Sequence, residues 1–138
     1  MSKKNKSNSQ KAPAGERESS SIHAYDLPAR VISYDADMDI MHPKRIKMVE
    51  IALEVLPLES ASHFTALELG VGTGFFTGKF LEKYPNAKVI GIDGARSMID
   101  LARVRLGDLA ERAEFRIGDF QVLGQLISPH ERASVIFS

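Results

Sequence analysis

The sequence lacks cysteine altogether, which removes several kinds of chemistry at once. Without thiols there can be no disulfide, no zinc site built on thiolates and no cysteine nucleophile. The four histidines, His23, His42, His63 and His130, are scattered along the chain, and no two of them share a helix face. The sequence therefore predicts no bound metal.

Long apolar runs and a net charge are also missing. No segment approaches the length that spans a membrane, and the N-terminus has no apolar core typical of a signal peptide. The formal net charge is zero, but residues 1–20 carry five basic and two acidic side chains, so the remainder is acidic overall. An acidic domain gives no electrostatic indication of nucleic-acid binding. These features predict a cytoplasmic protein with no membrane partner and no strong signal for nucleic-acid binding.

The composition changes along the chain, and the changes suggest three regions. Residues 1–21 are polar, basic and poor in large apolar groups, which predicts a disordered tail. Residues 22–62 contain "YDADMDIMHP" and then a helical pattern, in which Ile46, Val49, Leu53 and Leu56 recur at spacings of three and four between Pro43 and Pro57. This amphipathic helix is expected to pack on the domain formed by residues 63–138.

Strand and helix patterns alternate through that third region. "TALEL", "KVIGI", "EFRI" and "SVIF" predict four short strands, and helical segments lie between them. Ser97 and Asp100 form a capping pattern for the second of these helices. The predicted fold is α/β, with a mostly parallel sheet of about four strands, helices on both faces and a preceding N-terminal helix. An open sheet of this kind normally continues, so a truncated domain is expected, whose exposed apolar edge can pair with a second copy.

The segment "ALELGVGTGFF" carries three glycines at alternate positions and suggests a ligand-binding loop. A P-loop ending at Gly78-Lys79 would need glycine at Thr73 and serine or threonine at Phe80, so that pattern fails. The dinucleotide fingerprint would need glycine or alanine at Phe75 or at Thr77, depending on the register. An NAD-dependent oxidoreductase is therefore a disfavoured alternative.

An acidic residue followed by alternate glycines does fit, and with it the chain resembles the class I S-adenosylmethionine-dependent methyltransferases. Glu68 precedes the glycines, Asp93 ends the second strand 23 residues after Gly70, and "GDF" ends the third. The likeness covers about residues 30–138 and implies a Rossmann-like methyltransferase domain. It implies S-adenosylmethionine as the cofactor.

The resemblance also implies a role for each motif residue. Glu68 would lie near the cofactor's ammonium group, and Asp93 would accept hydrogen bonds from both ribose hydroxyls. Asp119 would accept from the adenine amino group, with Phe120 beside the ring. The methionine part of the cofactor would lie against Gly70, Gly72 and Gly74. Alternatives remain open: Glu68 satisfied by backbone amides, Asp119 as a helix cap, and Phe120 as a core side chain. For Asp93, the Ser97 cap argues against a capping role.

The predicted function is methyl transfer to a small-molecule or RNA acceptor. Tyr34 and Asp35 are candidates for a lid that closes over the cofactor. No catalytic base is assigned, since residues that shape the acceptor site in this family follow the fourth strand. The alternative is a non-catalytic fragment that binds the cofactor or acts as an interaction module.

Overall fold

A four-stranded parallel sheet organises the structure, a computed structural model that describes the backbone of residues 28–138 and the side chains of residues 32–138. The predicted tail, residues 1–21, lies outside the described residues. The strands are β1 (Thr65–Leu69), β2 (Lys88–Asp93), β3 (Ala113–Ile117) and β4 (Val135–Phe137). Their order is β3-β2-β1-β4, and every neighbouring pair is parallel. The predicted α/β class and the four strands are confirmed.

Five α-helices surround or precede the sheet in the described part of the chain. They are α1 (Pro28–Met41), α2 (Arg45–Val55), α3 (Phe75–Lys83), α4 (Arg96–Leu106) and the single-turn α5 (Leu123–Leu126). Two 3-10 helices, Gly107–Arg112 and Phe120–Val122, flank β3. Within these residues no helix combines the length and the apolar character that crossing a membrane requires.

The core lies where α3 packs on the two central strands. Phe80 lies in α3, and Tyr84 is the C-terminal cap of that helix. Both side chains are fully buried, and their ring centroids lie 4.9 Å apart. Phe137 of β4 lies 5.2 Å from the Phe80 ring, so the last strand contributes to the same aromatic cluster. Burying aromatic side chains of this size supplies much of a small core's stabilisation. The core thereby fixes α3, and with it the turn between β1 and α3.

The helix α2 follows its sequence pattern only in part. Leu53 is buried, and Val49 and Leu56 pack partly against the core, but Ile46 stays 53% exposed. The carbonyl of Leu53 accepts hydrogen bonds from the Lys83 ammonium at 2.7 Å and from the Tyr84 hydroxyl at 3.3 Å. The predicted packing of α2 on the following domain is therefore present, but only through the side chains from the middle of the helix to just after its end.

Two local expectations need correction. The segment "YDADMDIMHP", for which the sequence pattern predicted no helix, lies largely within the helix α1. The Ser97 cap is wrong, because α4 begins at Arg96 and its N-terminal cap position is Ala95, whose own side chain forms no capping hydrogen bond. The amide of Ala95 is instead bound by the Asp93 carboxylate, at 2.9 Å. Asp93, at the end of β2, thus binds the backbone at the start of α4, which is the capping role that the local sequence pattern assigned to Ser97.

Candidate functional site

The turn between β1 and α3 is built on glycines with left-handed backbone. Gly70, Gly72 and Gly74 have φ values of 80°, 55° and 75°, a region that residues with a Cβ rarely adopt. The amide of Gly70 donates to the carbonyl of Ile92 at 2.8 Å, which holds the turn against the end of β2. Because the glycines carry no side chain, the turn leaves an open surface at the end of the sheet. This turn is the feature around which the other candidate residues assemble.

Asp93 supports the turn from the neighbouring strand. One carboxylate oxygen accepts from the Gly72 amide at 2.8 Å, and the other accepts from the Ala95 amide at 2.9 Å. Each oxygen of an ionised carboxylate has two acceptor positions, so one remains on each. The structure therefore gives Asp93 a supporting and capping role that the sequence argument had discounted, and it leaves acceptor capacity for hydroxyl donors.

Glu68 is the most deeply buried acid in the described residues, with 3% of its surface exposed. The hydroxyl of Thr77, on the first turns of α3, donates to its carboxylate at 2.5 Å. Burial raises the pKa of Glu68 to about 8, and the nearby charge of Asp93 adds to the increase, while the Thr77 hydrogen bond opposes it. At neutral pH a carboxyl group with this pKa is mostly protonated, and a cation beside it would favour the ionised form.

A cavity of about 320 Å³ opens beside this turn. Glu68, Gly70 and Gly72 line its floor at the carboxyl end of β1, next to the end of β4. The side chains that close it come from α1, α2, the glycine turn, α3 and β4, and include Tyr34, Met38, Arg45, Val49, Phe75, Phe76 and Phe137. β1 lies between β2 on one side and β4 on the other, which is the switch point where open α/β sheets bind ligands.

Asp119 and Phe120 lie at the same end of the sheet without lining the cavity. The Asp119 carboxylate accepts from the Gln121 amide at 2.9 Å, so it caps a 3-10 helix, as the alternative interpretation supposed. Phe120 is 47% exposed, and its ring tip would lie 3.8 Å from a Cβ placed on Gly70. The ring therefore covers the glycine turn and is not a core side chain.

The remaining predicted residues divide between the site and its surroundings. Gly74 does not line this cavity but faces α4, where a Cβ would come within 2.9 Å of the Ala102 Cβ. Tyr34 lines the cavity and packs near the buried Met98. Among the described residues, no cluster of acidic and histidine side chains has the arrangement that would hold a metal ion.

Sequence patterns did not reveal three contributors to the site. Thr77 binds Glu68, Thr73 binds Asp35 at 2.8 Å, and Arg45 stacks on the Phe75 ring at 4.0 Å from its centroid. The only signal for Thr73 and Thr77 was their presence where other glycine fingerprints demand different residues. Arg45 had no signal, since its partners are distant in the sequence.

The sheet order, the left-handed glycine turn and the cavity at the switch point define an α/β domain of the cofactor-binding class. A family model described as a methyltransferase domain matches residues 66–138. The chain belongs to this methyltransferase-domain family. The predicted resemblance is thereby confirmed.

The curated relatives of this chain are longer proteins, and the chain matches only a part of each. A malonyl-[acyl-carrier protein] O-methyltransferase from Acetivibrio thermocellus is 39% identical over 62 residues, covering 45% of this chain and 22% of the relative. A demethylmenaquinone methyltransferase from Thermotoga maritima is 35% identical over 95 residues, covering 69% of this chain and 35% of the relative. The chain thus spans about a third or less of the length of these relatives.

Solved structures share the fold at low identity. An O-methyltransferase family protein from Burkholderia thailandensis superposes with a TM-score of 0.60 at 21% identity, covering 82% of this chain and 32% of that one. A SAM-dependent methyltransferase from Geobacter sulfurreducens, solved with S-adenosyl-L-homocysteine, gives a TM-score of 0.57 at 21% identity, over 81% and 43% of the two chains. These likenesses establish the Rossmann-like fold.

Proposed function

We propose that the chain binds S-adenosylmethionine in the cavity beside the glycine turn, as part of a methyltransferase. The observation that carries the proposal is the meeting of a buried carboxyl group, Glu68, with two left-handed glycines in the wall of one cavity at the switch point. S-adenosylmethionine carries an ammonium and a sulfonium, and a carboxylate that ionises in a desolvated wall attracts such charges strongly. Membership of the methyltransferase-domain family supports the same ligand.

The proposed roles follow from where each group lies. Glu68 binds the ammonium end of the cofactor, and its proton leaves when the cation arrives. Asp93 uses the acceptor positions left free by the Gly72 and Ala95 amides to bind the ribose hydroxyls. Asp119 and Phe120 lie at the end of β3, joined to the end of β2 by the hydrogen bond from the Gly118 amide to the Asp93 carbonyl at 3.0 Å. That position suits the adenine.

The proposed chemistry is in-line transfer of the methyl group from sulfonium to a nucleophile. Such a reaction depends chiefly on holding the two reactants in alignment, so a binding cavity contributes most of what the protein must supply. The relatives act on different acceptors, as the malonyl-carrier and demethylmenaquinone enzymes show by name. We propose a small-molecule or RNA nucleophile as the acceptor and assign no catalytic base.

Calorimetric titration of the 138-residue chain tests the cofactor. S-adenosylmethionine and S-adenosylhomocysteine should both bind, and NADH should not. Glu68→Gln should weaken both by about tenfold, since a charge-assisted hydrogen bond is replaced by a neutral one. The control Glu82→Gln changes an exposed acid on α3 that pairs with Lys79 at 3.3 Å, and it should bind as the wild type does.

Three other outcomes would redirect the interpretation. A folded chain that binds neither sulfur compound would refute the proposed function. Binding of NADH alone would favour the oxidoreductase alternative. Cofactor binding without transfer of a radiolabelled methyl group to small-molecule or RNA pools would support the non-catalytic alternative, in which this chain is a cofactor-binding or interaction module.

A further inference from the structure

Asp35 connects the N-terminal helices to the glycine turn through several contacts. One carboxylate oxygen accepts from the Thr73 hydroxyl at 2.8 Å and from the Arg45 guanidinium at 3.0 Å. The other oxygen pairs with the Arg105 guanidinium of α4. The carboxylate therefore joins α1, α2, α4 and the turn at one point. This arrangement differs from the predicted lid, in which Asp35 would close over the cofactor itself.

The contact with Thr73 falls at the centre of the glycine turn. Thr73 is 2% exposed and lies between Gly72 and Gly74, whose φ values are 55° and 75°. A segment with left-handed residues on both sides has little intrinsic preference for one conformation, because glycine samples many. Asp93 holds the Gly72 amide from the sheet side, and Asp35 holds the Thr73 side chain from the helix side. Together these two carboxylates fix the turn from opposite directions.

The two arginines bound by Asp35 also reach the residue that begins α3. The Arg45 guanidinium lies 4.0 Å from the centroid of the Phe75 ring, and that of Arg105 lies 6.0 Å away. Both distances are within the range of cation–π contacts. Removing the Asp35 charge would take a carboxylate partner from both guanidinium groups, and Arg45 would keep only its longer contact with Asp39, at 3.4 Å. The start of α3 would then lose part of its restraint together with the turn.

We propose that Asp35 is a positioning residue that holds the glycine turn in the conformation that binds the cofactor's amino-acid end. The inference rests on the proposed function for its ligand, but its geometric basis is independent of the ligand. Asp35 acts through Thr73 and the two arginines and does not line the cavity. Because Asp35 already restricts the turn before the ligand arrives, binding costs less conformational entropy than it would with a free turn.

The expected effect falls mainly on binding and only slightly on overall stability. Ion pairs with partly exposed side chains contribute little to folding, and the Asp35 side chain is 25% exposed. The buried Thr73 hydroxyl, in contrast, would exchange an ionised acceptor for the weaker neutral oxygen of an amide. Asp35→Asn should therefore keep the fold and loosen the turn.

Titration with two ligands tests the proposal. Asp35→Asn should weaken the binding of S-adenosylhomocysteine by roughly tenfold, which is the scale of one charge-assisted hydrogen bond. It should leave 5′-methylthioadenosine unchanged, because that compound lacks the amino-acid end. Thr73→Val should act similarly, and the double variant should be no weaker than Asp35→Asn alone. The control is Asp37→Asn, an exposed acid on the same helix, which should match the wild type.

Amide hydrogen exchange provides a readout that does not need a ligand. The amides of Gly72, Thr73 and Gly74 should exchange faster in Asp35→Asn than in the wild type and in Asp37→Asn. Unchanged exchange there, or equal weakening of both ligands, would overturn the positioning role. If the wild type bound neither ligand, the proposed function would fail, and the exchange experiment would still decide the role of Asp35.

Discussion

The buried carboxyl group of Glu68 should make the stability of this protein depend on pH in an unusual direction. Its pKa is raised from 4.5 to about 8 in the folded chain, chiefly by burial. Between these values the unfolded chain releases the proton while the folded chain retains it. The folded state then binds more protons, so stability falls as pH rises through this window. The usual case for a carboxyl group, a pKa lowered by a partner, has the opposite sign.

The magnitude follows from the size of the shift. Each unit of pKa difference corresponds to about 1.4 kcal/mol. From pH 5 to pH 8 the free energy of unfolding should therefore decrease by about 3.5 kcal/mol through Glu68 alone, a large part of the roughly 5–15 kcal/mol typical of domains. Only 3% of the side chain is exposed, so solvent screening reduces this figure little.

The perturbation is Glu68→Gln, which keeps the shape and the acceptor for Thr77 but cannot ionise. Urea unfolding of both chains at pH 5, 6, 7 and 8 would yield two stability curves. The wild-type curve should descend relative to that of the variant, and the gap should widen until about pH 8. Parallel curves would refute the reasoning, because they would show that Glu68 has the same pKa in the folded and unfolded chains.

The same titration predicts a proton released on cofactor binding. A cation in the cavity lowers the pKa of Glu68, so the proton held at pH 7 should leave when S-adenosylmethionine binds. Calorimetry in buffers of different ionisation enthalpy measures this release directly. The wild type should release close to one proton, and Glu68→Gln should release none.

Two further predictions concern the packing that supports the site. Gly74→Ala should destabilise the chain by about 2–4 kcal/mol in thermal unfolding, because its backbone is left-handed and the new Cβ would lie 2.9 Å from that of Ala102. Gly72→Ala meets no atom within 4 Å and should cost only about 1–2 kcal/mol from backbone strain; equal costs would contradict the packing argument. Tyr84→Phe should cost about 1 kcal/mol in urea unfolding, since it removes the hydrogen bond to the Leu53 carbonyl, and α2 should exchange amide hydrogens faster. No change in exchange would show that this contact does not hold α2.

Much of the fold could be predicted because its signals are local. Each strand is a short apolar run, and the alternation with helices implies a parallel sheet before any contact is known. The glycines at 70, 72 and 74 all have the left-handed backbone that their residue type permits. Glu68 and Asp93 were singled out because they match acidic motif positions of the methyltransferase family that the chain resembles.

The contacts that hold the site together could not be predicted, because they join distant segments. Asp35 meets Thr73 across 38 positions, and Arg105 meets Asp35 across 70. Ser97 fitted a local capping pattern, yet α4 begins one residue before it. The carboxylate of Asp93, at the end of β2, accepts the hydrogen bond from the Ala95 amide at the start of that helix. Local rules identify residues suited to a task, and tertiary structure decides which of several suitable residues performs it.

The charge around the glycine turn favours a cationic ligand over a pyrophosphate. Phosphate-binding turns present amides and a cation to an anion. Here the carboxyl groups of Glu68 and Asp93 flank the turn, and within residues 32–138 neither forms an ion pair with a lysine or arginine. Arg45 lines the cavity, but Arg45 and Arg105 are together paired with two carboxylates, those of Asp35 and Asp39. Among the described residues a pyrophosphate would therefore meet acids and only cations that are already paired, whereas a ligand with an ammonium and a sulfonium would supply positive charge.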